Sequence, residues 1–190
     1  MTLTPQEIAR GCLLRIVAQP DRYDQGTWQT IDATHPELLS QLKEGGGAAE
    51  VTCSTTGCVA GTAAALAGDR SCVHPLDRTT RDGRRIYMIS EVITAAGRRY
   101  TIRDRGQQLL GLSDDDAAWL FAGHRVLPEV VNALAELAEG KPLSRRMAGD
   151  MSGEEIRQLR NYRVQPVVKR QRVSPTPATP ATAPVAQHRR

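Results

Sequence analysis

The chain has 190 residues, of which 40% are hydrophobic and 24% are charged, a balance typical of one globular domain. Aromatic residues make up only 4%, so the core has to be built from aliphatic side chains. Four cysteines are too few for a disulfide scaffold and no apolar run approaches about 18 residues, which excludes a disulfide-rich secreted domain and a membrane-spanning helix and indicates a cytoplasmic protein.

The positive charge is concentrated at the end of the chain. The net charge is +4, yet residues 164–190 carry five basic residues and no acid, so residues 1–163 sum to −1. This segment is rich in Pro, Thr and Ala and poor in large apolar side chains. It cannot bury enough surface to offset the entropy of ordering it, which predicts a disordered basic tail.

Two capping boxes predict the first helices. Thr4 as N-cap with Glu7 three residues later begins a helix that Pro20 ends. Thr34 with Glu37 begins a second, shorter helix that stops at a run of glycines. Turn-forming residues lie between the two helices.

Small residues and then a hairpin follow the glycines. The run CVAGTAAALA predicts a helix from about Cys58 to Ala67, with Gly68 as its stop. Residues 70–83 are expected to form a loop. The β-branched segment after them predicts a hairpin over about residues 84–102, with Gly97 in its turn.

Further short helices complete the predicted fold. Ser113 is the expected N-cap of one helix, Pro128 begins the next and Gly140 ends it. The fold class is therefore α+β, mostly short α-helices with one β-hairpin, followed by a disordered C-terminal tail. The predicted organisation is a compact helical domain over 1–142, an accessory short helix within 143–163, and the tail over 164–190.

The cysteines allow a metal or redox interpretation. Three thiolates and an imidazole suit tetrahedral zinc, and the ligands would be Cys53, Cys58, Cys72 and His74. Their spacing is looser than the C-x2-C pairs of structural zinc sites, which favours buried free thiols. A thiolate on Cys58, close to a helix N-terminus, is the redox alternative.

Packing explains the same stretch more simply. Cys58, Gly61 and Ala65 recur at helical spacing, so one face of the helix carries only small side chains and permits close approach of another helix. The largest apolar groups are expected to anchor the core: Trp28, Trp119 and Phe121.

Three motifs carry a resemblance. The segments AQPDRYDQGTW, TCSTTGCVAGTAAALAGD and IRDRGQQLLGLSDDDAAWLF contain an Asp-Gln-x-x-Trp turn, a Cys-x4-Cys-x-Ala-Gly helix and a Leu-Leu-Gly-Leu helix entry. In this order they resemble an uncharacterised family of small actinobacterial and actinobacteriophage proteins, over about residues 1–140. The resemblance implies a mobile-element setting and one compact unit, and no function is known for the family.

No catalytic or nucleotide-binding motif occurs, so the sequence predicts a protein that is not an enzyme and needs no cofactor. The preferred hypothesis is an interaction or regulatory module of phage or mobile-element type that binds a host or phage protein. A nucleic-acid-associated protein is the first alternative, with phosphate contacts from a basic helix over 154–163 and the tail: Arg157, Arg160, Arg163, Lys169, Arg170 and Arg172. A small zinc-binding module built on the four ligands above is the second.

Overall fold

The computed structural model describes residues 3–34, 36, 38, 40, 49–51, 56–79, 83 and 85–160. The helices with described bounds are α1 (Pro5–Ala18), α2 (Val59–Leu66), α3 (Ile102–Leu110), α4 (Asp114–Leu120), α5 (Leu127–Ala138) and α6 (Gly153–Arg160). The strands are β1 (Gln29–Asp32), β2 (Ala49–Val51), β3 (Thr56–Gly57), β4 (Arg70–Thr79), β5 (Arg85–Ile93) and β6 (Arg99–Thr101). Short 3-10 turns span Pro20–Arg22 and Ala148–Asp150. The predicted tail, 164–190, lies outside the described residues.

The strands form one antiparallel sheet in the order β2-β4-β5-β1-β3, and β6 pairs with the far end of β5. The expected hairpin is the β5–β6 pair, and Gly97 in its turn has a φ of 76°, which glycine adopts without strain. The α+β class, with short helices around this sheet, is confirmed.

The prediction of a loop over residues 70–83 is wrong for the first part of that segment, because residues 70–79 form strand β4. This segment contains Pro75, which cannot donate to a strand ladder. The register between β4 and β5 shifts on both sides of Val73 and resumes at Asp77, so the proline lies in the irregular stretch. A sequence that reads as a turn is thereby accommodated inside a long strand.

Local capping chemistry places the helix starts. The Thr4 backbone N–H donates to a Glu7 carboxylate oxygen over 2.8 Å, and Thr4 Oγ1 accepts the Glu7 N–H, as the capping box predicts. Ser113 Oγ accepts the Asp116 N–H at the start of α4. The second predicted capping box includes Glu37, which lies outside the described residues.

The core lies between the sheet and a layer of helices. Helix α1 packs against α5 and α2, and α2 packs against α3. The buried side chains of this core are almost all aliphatic, including Ile8, Leu13, Ile31, Ile89 and Leu134. In the described part of the chain, no helix is long and apolar enough to cross a membrane.

Candidate functional site

The turn over residues 24–28 is held by its own first side chain. Asp24 Oδ1 accepts the Gly26 N–H over 2.9 Å, and Asp24 Oδ2 accepts the Thr27 hydroxyl over 3.2 Å. The carbonyl of Trp28 then accepts the Cys58 N–H over 3.1 Å. The Asp-Gln-x-x-Trp turn thus fastens the start of α2.

Two buried glutamines connect this turn to the rest of the core. Gln25 Nε2 donates to the Leu120 carbonyl over 2.5 Å, while its Oε1 accepts the Tyr23 hydroxyl over 2.8 Å. Gln29 Nε2 donates to the Gly61 carbonyl, and its Oε1 accepts the Ser71 hydroxyl, both over 2.8 Å. Because both amides are satisfied within the fold, the glutamines are structural links. Sequence reasoning missed them, although they flank the turn in the stretch DQGTWQ.

Helix α2 makes close contacts through glycine on two faces. A Cβ added at Gly61 would collide with the Trp28 carbonyl oxygen and lie 2.5 Å from Gln29 Cγ. The Gly61 face therefore packs on strand β1, which corrects the expectation of a helix crossing there, and Ala65 farther along is half-buried. The helix contact lies on the neighbouring face, where a Cβ added at Gly106 of α3 would be 2.6 Å from Ala60 Cβ.

Of the three predicted aromatic anchors, Phe121 lies in the core and is 6% exposed. Trp28 and Trp119 are half-buried and pack against the core from its edge. The Trp28 and Phe121 rings meet edge to face, with centroids 6.4 Å apart. The Arg125 guanidinium lies 4.5 Å from the centroid of the Trp119 ring.

The described thiols are buried. Cys12, Cys58 and Cys72 are in no disulfide, and all three side chains are buried. Burial raises the pKa of Cys58 to about 11, although nearby backbone N–H groups at the start of α2 act in the opposite direction. Burial likewise raises the pKa of the Cys12 thiol. The thiolate required by the redox hypothesis is therefore disfavoured.

The sheet separates two of the four possible zinc ligands. The bonds from Ser71 to Gln29 and from Gln29 to Gly61 place Ser71 on the face covered by α2. Cys72 is the next residue in a regular part of β4, so its side chain points to the opposite face from Cys58, the N-cap of α2. Cys53 and the His74 side chain lie outside the described residues. Among the residues that are described, no group of three or more potential ligands could hold a metal ion.

A groove lies between α5 and α6. Its volume is about 250 Å³, and it is lined by Asn132, Arg146, Met151, Glu155, Gln158 and Leu159. Met151 is 7% exposed and provides an apolar base, while two amides and an ion pair provide the polar rim. Arg146 Nη1 and Glu155 Oε1 are 2.9 Å apart.

The segment between α5 and α6, residues 141–151, is called the strap. Glu129 Oε1 accepts the Ala148 N–H over 2.8 Å, and Glu136 Oε2 accepts the Ser144 N–H over 3.0 Å. Arg145, whose φ of 53° lies in the left-handed region, pairs with Asp116 of α4 at 2.8 Å. Carboxylates on α4 and α5 therefore hold the strap, and with it one wall of the groove.

Two large apolar side chains remain exposed beside this strap. Val126, at the start of α5, is 48% exposed, and Met147, in the strap, is 41% exposed. Arg125, the residue before Val126, places its Nη1 atom 2.7 Å from Met147 Sδ. Sequence reasoning missed this surface and the groove, because their residues lie far apart along the chain and match no spacing motif.

The predicted basic helix is charge-balanced where it is described. Helix α6 contains Glu154 and Glu155 as well as Arg157 and Arg160. Arg157 Nη2 lies 2.7 Å from Glu154 Oε2, so one of the expected phosphate ligands has a carboxylate partner. The Arg160 side chain and the remaining predicted ligands, Arg163, Lys169, Arg170 and Arg172, lie outside the described residues.

The chain matches no family model, and neither a curated protein nor a solved structure is significantly similar to it.

Proposed function

We propose that this chain is a non-enzymatic interaction module that binds a protein partner in the groove between α5 and α6. The observation that carries the proposal is the groove itself: an apolar base with hydrogen-bonding amides at its rim. Its volume of about 250 Å³ is below the range of roughly 300–1,000 Å³ typical of small-molecule sites. It fits one large apolar side chain of a partner. The amide nitrogens of Asn132 and Gln158 donate to Glu136 and Glu154, and their amide oxygens can accept hydrogen bonds from neighbouring peptide groups.

The surroundings of the groove support a binding role. Val126 and Met147 add exposed apolar surface close to the strap. The two buried carboxylates among the described residues already have partners: Asp69 is paired with Arg105, and Glu129 with Arg125 and the strap. Burial raises the pKa of the Cys12 and Cys58 thiols. These groups have structural tasks, which favours binding over catalysis.

The kind of partner follows from the resemblance of the three motifs to actinobacterial and phage proteins. We infer a regulatory module of a mobile element whose partner is a host or phage protein. The partner segment presents an apolar anchor such as Leu, Met or Phe, flanked by polar backbone.

The test is selection of binding peptides from a displayed random library on the full-length protein. We expect the selected peptides to share one apolar anchor, and their affinity, measured by calorimetry, to fall at least about tenfold for Gln158→Trp. This substitution fills the groove with a ring on an exposed helix position. The matched control is Gln6→Trp on α1, also exposed, which should bind normally. Selection of no peptides, or equal affinity for both variants, would contradict the proposed function.

A further inference from the structure

We propose that strand β6, the turn before it and the first turn of α3 after it bind the phosphates of single-stranded nucleic acid through Arg98, Arg99 and Arg103. This surface shares no residue with the groove between α5 and α6. It also differs from the predicted basic helix and tail, so the inference stands apart from the proposed function.

The distribution of charge within residues 1–160 is the first argument. Residues 70–105 contain nine arginines, no lysine and four acids, a net charge of +5. The other residues of 1–160 carry a net charge of −7. The net charge of residues 1–160 is therefore small only because a basic segment and an otherwise acidic chain offset each other. Concentrated charge of one sign attracts a polyanion and accelerates its encounter with the protein.

The arginines flank strand β6 on both faces of the sheet. Ile93 pairs with Arg99 of β6 on one side and with Arg70 of β4 on the other, so both arginines belong to the same face of the sheet. Arg98 directly precedes β6, is exposed, and lies beside Tyr100 on the opposite face of the strand from Arg99. Arg103 follows at the start of α3, and its side chain is 43% exposed.

The ion pairs at this surface are loose. Arg99 lies 3.7 Å from Glu91, and Arg103 lies 3.8 Å from Asp104, with all four side chains well exposed. Such pairs contribute little to stability, so a phosphate can compete for the guanidinium groups at low cost. Arg105 differs, because it lies 2.6 Å from a carboxylate that is 2% exposed, that of Asp69. It belongs to the framework of the surface and is not assigned to the ligand.

An aromatic ring lies on the Arg98 side of β6. Tyr100 is half-buried, and the guanidinium carbons of Arg98 and Arg105 lie 5.8 Å and 5.6 Å from its ring centroid. A partly exposed ring beside arginine offers a stacking position for an unpaired base. Arginine binds phosphate oxygens in a fixed bidentate geometry, which lysine does not. An acidic polypeptide would supply the charge but no base, so the combination favours nucleic acid.

The experiment measures binding of a fluorescently labelled single-stranded oligothymidylate to the full-length chain at several salt concentrations. The variant R98A/R99A/R103A removes three positive charges from the surface, and the matched control K169A/R170A/R172A removes three from the tail. We expect the first variant to lose at least about tenfold in affinity and to reduce the slope of log affinity against log salt by about 2. The control should lose less. A charge-retaining variant, R98K/R99K/R103K, should recover part of the affinity.

Each opposite result would overturn the proposal. These results are undetectable binding of the oligonucleotide, or a loss in the tail variant that equals or exceeds the loss in the R98A/R99A/R103A variant. Tighter binding of polyglutamate than of the oligonucleotide would assign the surface to an acidic protein. Tighter binding of a duplex than of the single strand would remove the stacking role of Tyr100. Unchanged thermal midpoints establish that the substitutions leave folding unaffected.

Discussion

Replacing Gly106 by alanine tests how closely α2 and α3 approach each other. The added Cβ would lie 2.6 Å from Ala60 Cβ, 2.8 Å from Ala60 Cα and 3.2 Å from Phe121 Cζ. Carbon atoms in contact prefer about 3.5–4.0 Å, so the helices have to separate by about 1 Å. Overpacking of this kind costs about 1–3 kcal/mol. The upper end applies here, because Ala60 Cα is backbone and cannot rotate away.

A helical alanine recovers about 1 kcal/mol relative to glycine, which leaves a net loss of about 2 kcal/mol in the free energy of unfolding. For a chain of this size the thermal midpoint should fall by about 4–8 °C, measured by circular dichroism. The control is Gly149→Ala, because no atom lies within 4 Å of a Cβ built there, and this variant should melt like the wild type. A midpoint for Gly106→Ala at or above that of the wild type would refute the packing argument.

The remaining predictions concern the thiols and acid pH. In a Cys53→Ser background, iodoacetamide at neutral pH should leave the folded protein unlabelled and should label it after denaturation. The reason is that the described thiols are buried and the pKa of Cys58 is raised to about 11. Rapid labelling of the folded state, measured by mass spectrometry, would contradict this prediction. The pKa of Glu155 is lowered to about 2, chiefly by its hydrogen bond from Arg146, so its stabilising contribution is complete above about pH 4.5 and is lost as the pH falls toward about 2. The difference in thermal midpoint between the wild type and Glu155→Gln should narrow over that range, and a constant difference would show that the ion pair contributes nothing.

The features that sequence could predict are local ones. Thr4 with Glu7, and Ser113 with Asp116, cap their helices through contacts three residues apart, so the spacing alone identifies the helix starts. Gly68 ends α2 in the left-handed conformation that glycine tolerates. Such signals depend only on neighbouring residues and survive any arrangement of the rest of the chain.

The features that sequence could not predict depend on partners far along the chain. The small face around Gly61 indicates close approach, but the pattern cannot say whether a helix or a strand fills the space. Strand β4 pairs through its backbone, which leaves no periodic signal in a segment that contains Pro75. The groove is lined by residues as far apart in the sequence as Asn132 and Leu159. The strap between them is held by single carboxylates, and no spacing rule in the sequence predicts that these residues meet.

The way the strap is fastened separates its stability from that of the core. Carboxylates of α4 and α5 hold the strap through hydrogen bonds and one ion pair, beside apolar contacts of Leu143 and Met151, whereas buried aliphatic contacts join α1, α2 and α3. Added salt weakens the strap's ion pairs and leaves the aliphatic contacts intact, so the strap and α6 can detach together as one cooperative unit. Backbone amides there should exchange with deuterium sooner than those of α1. A ligand that occupies the groove would slow that exchange, because it binds only the closed form.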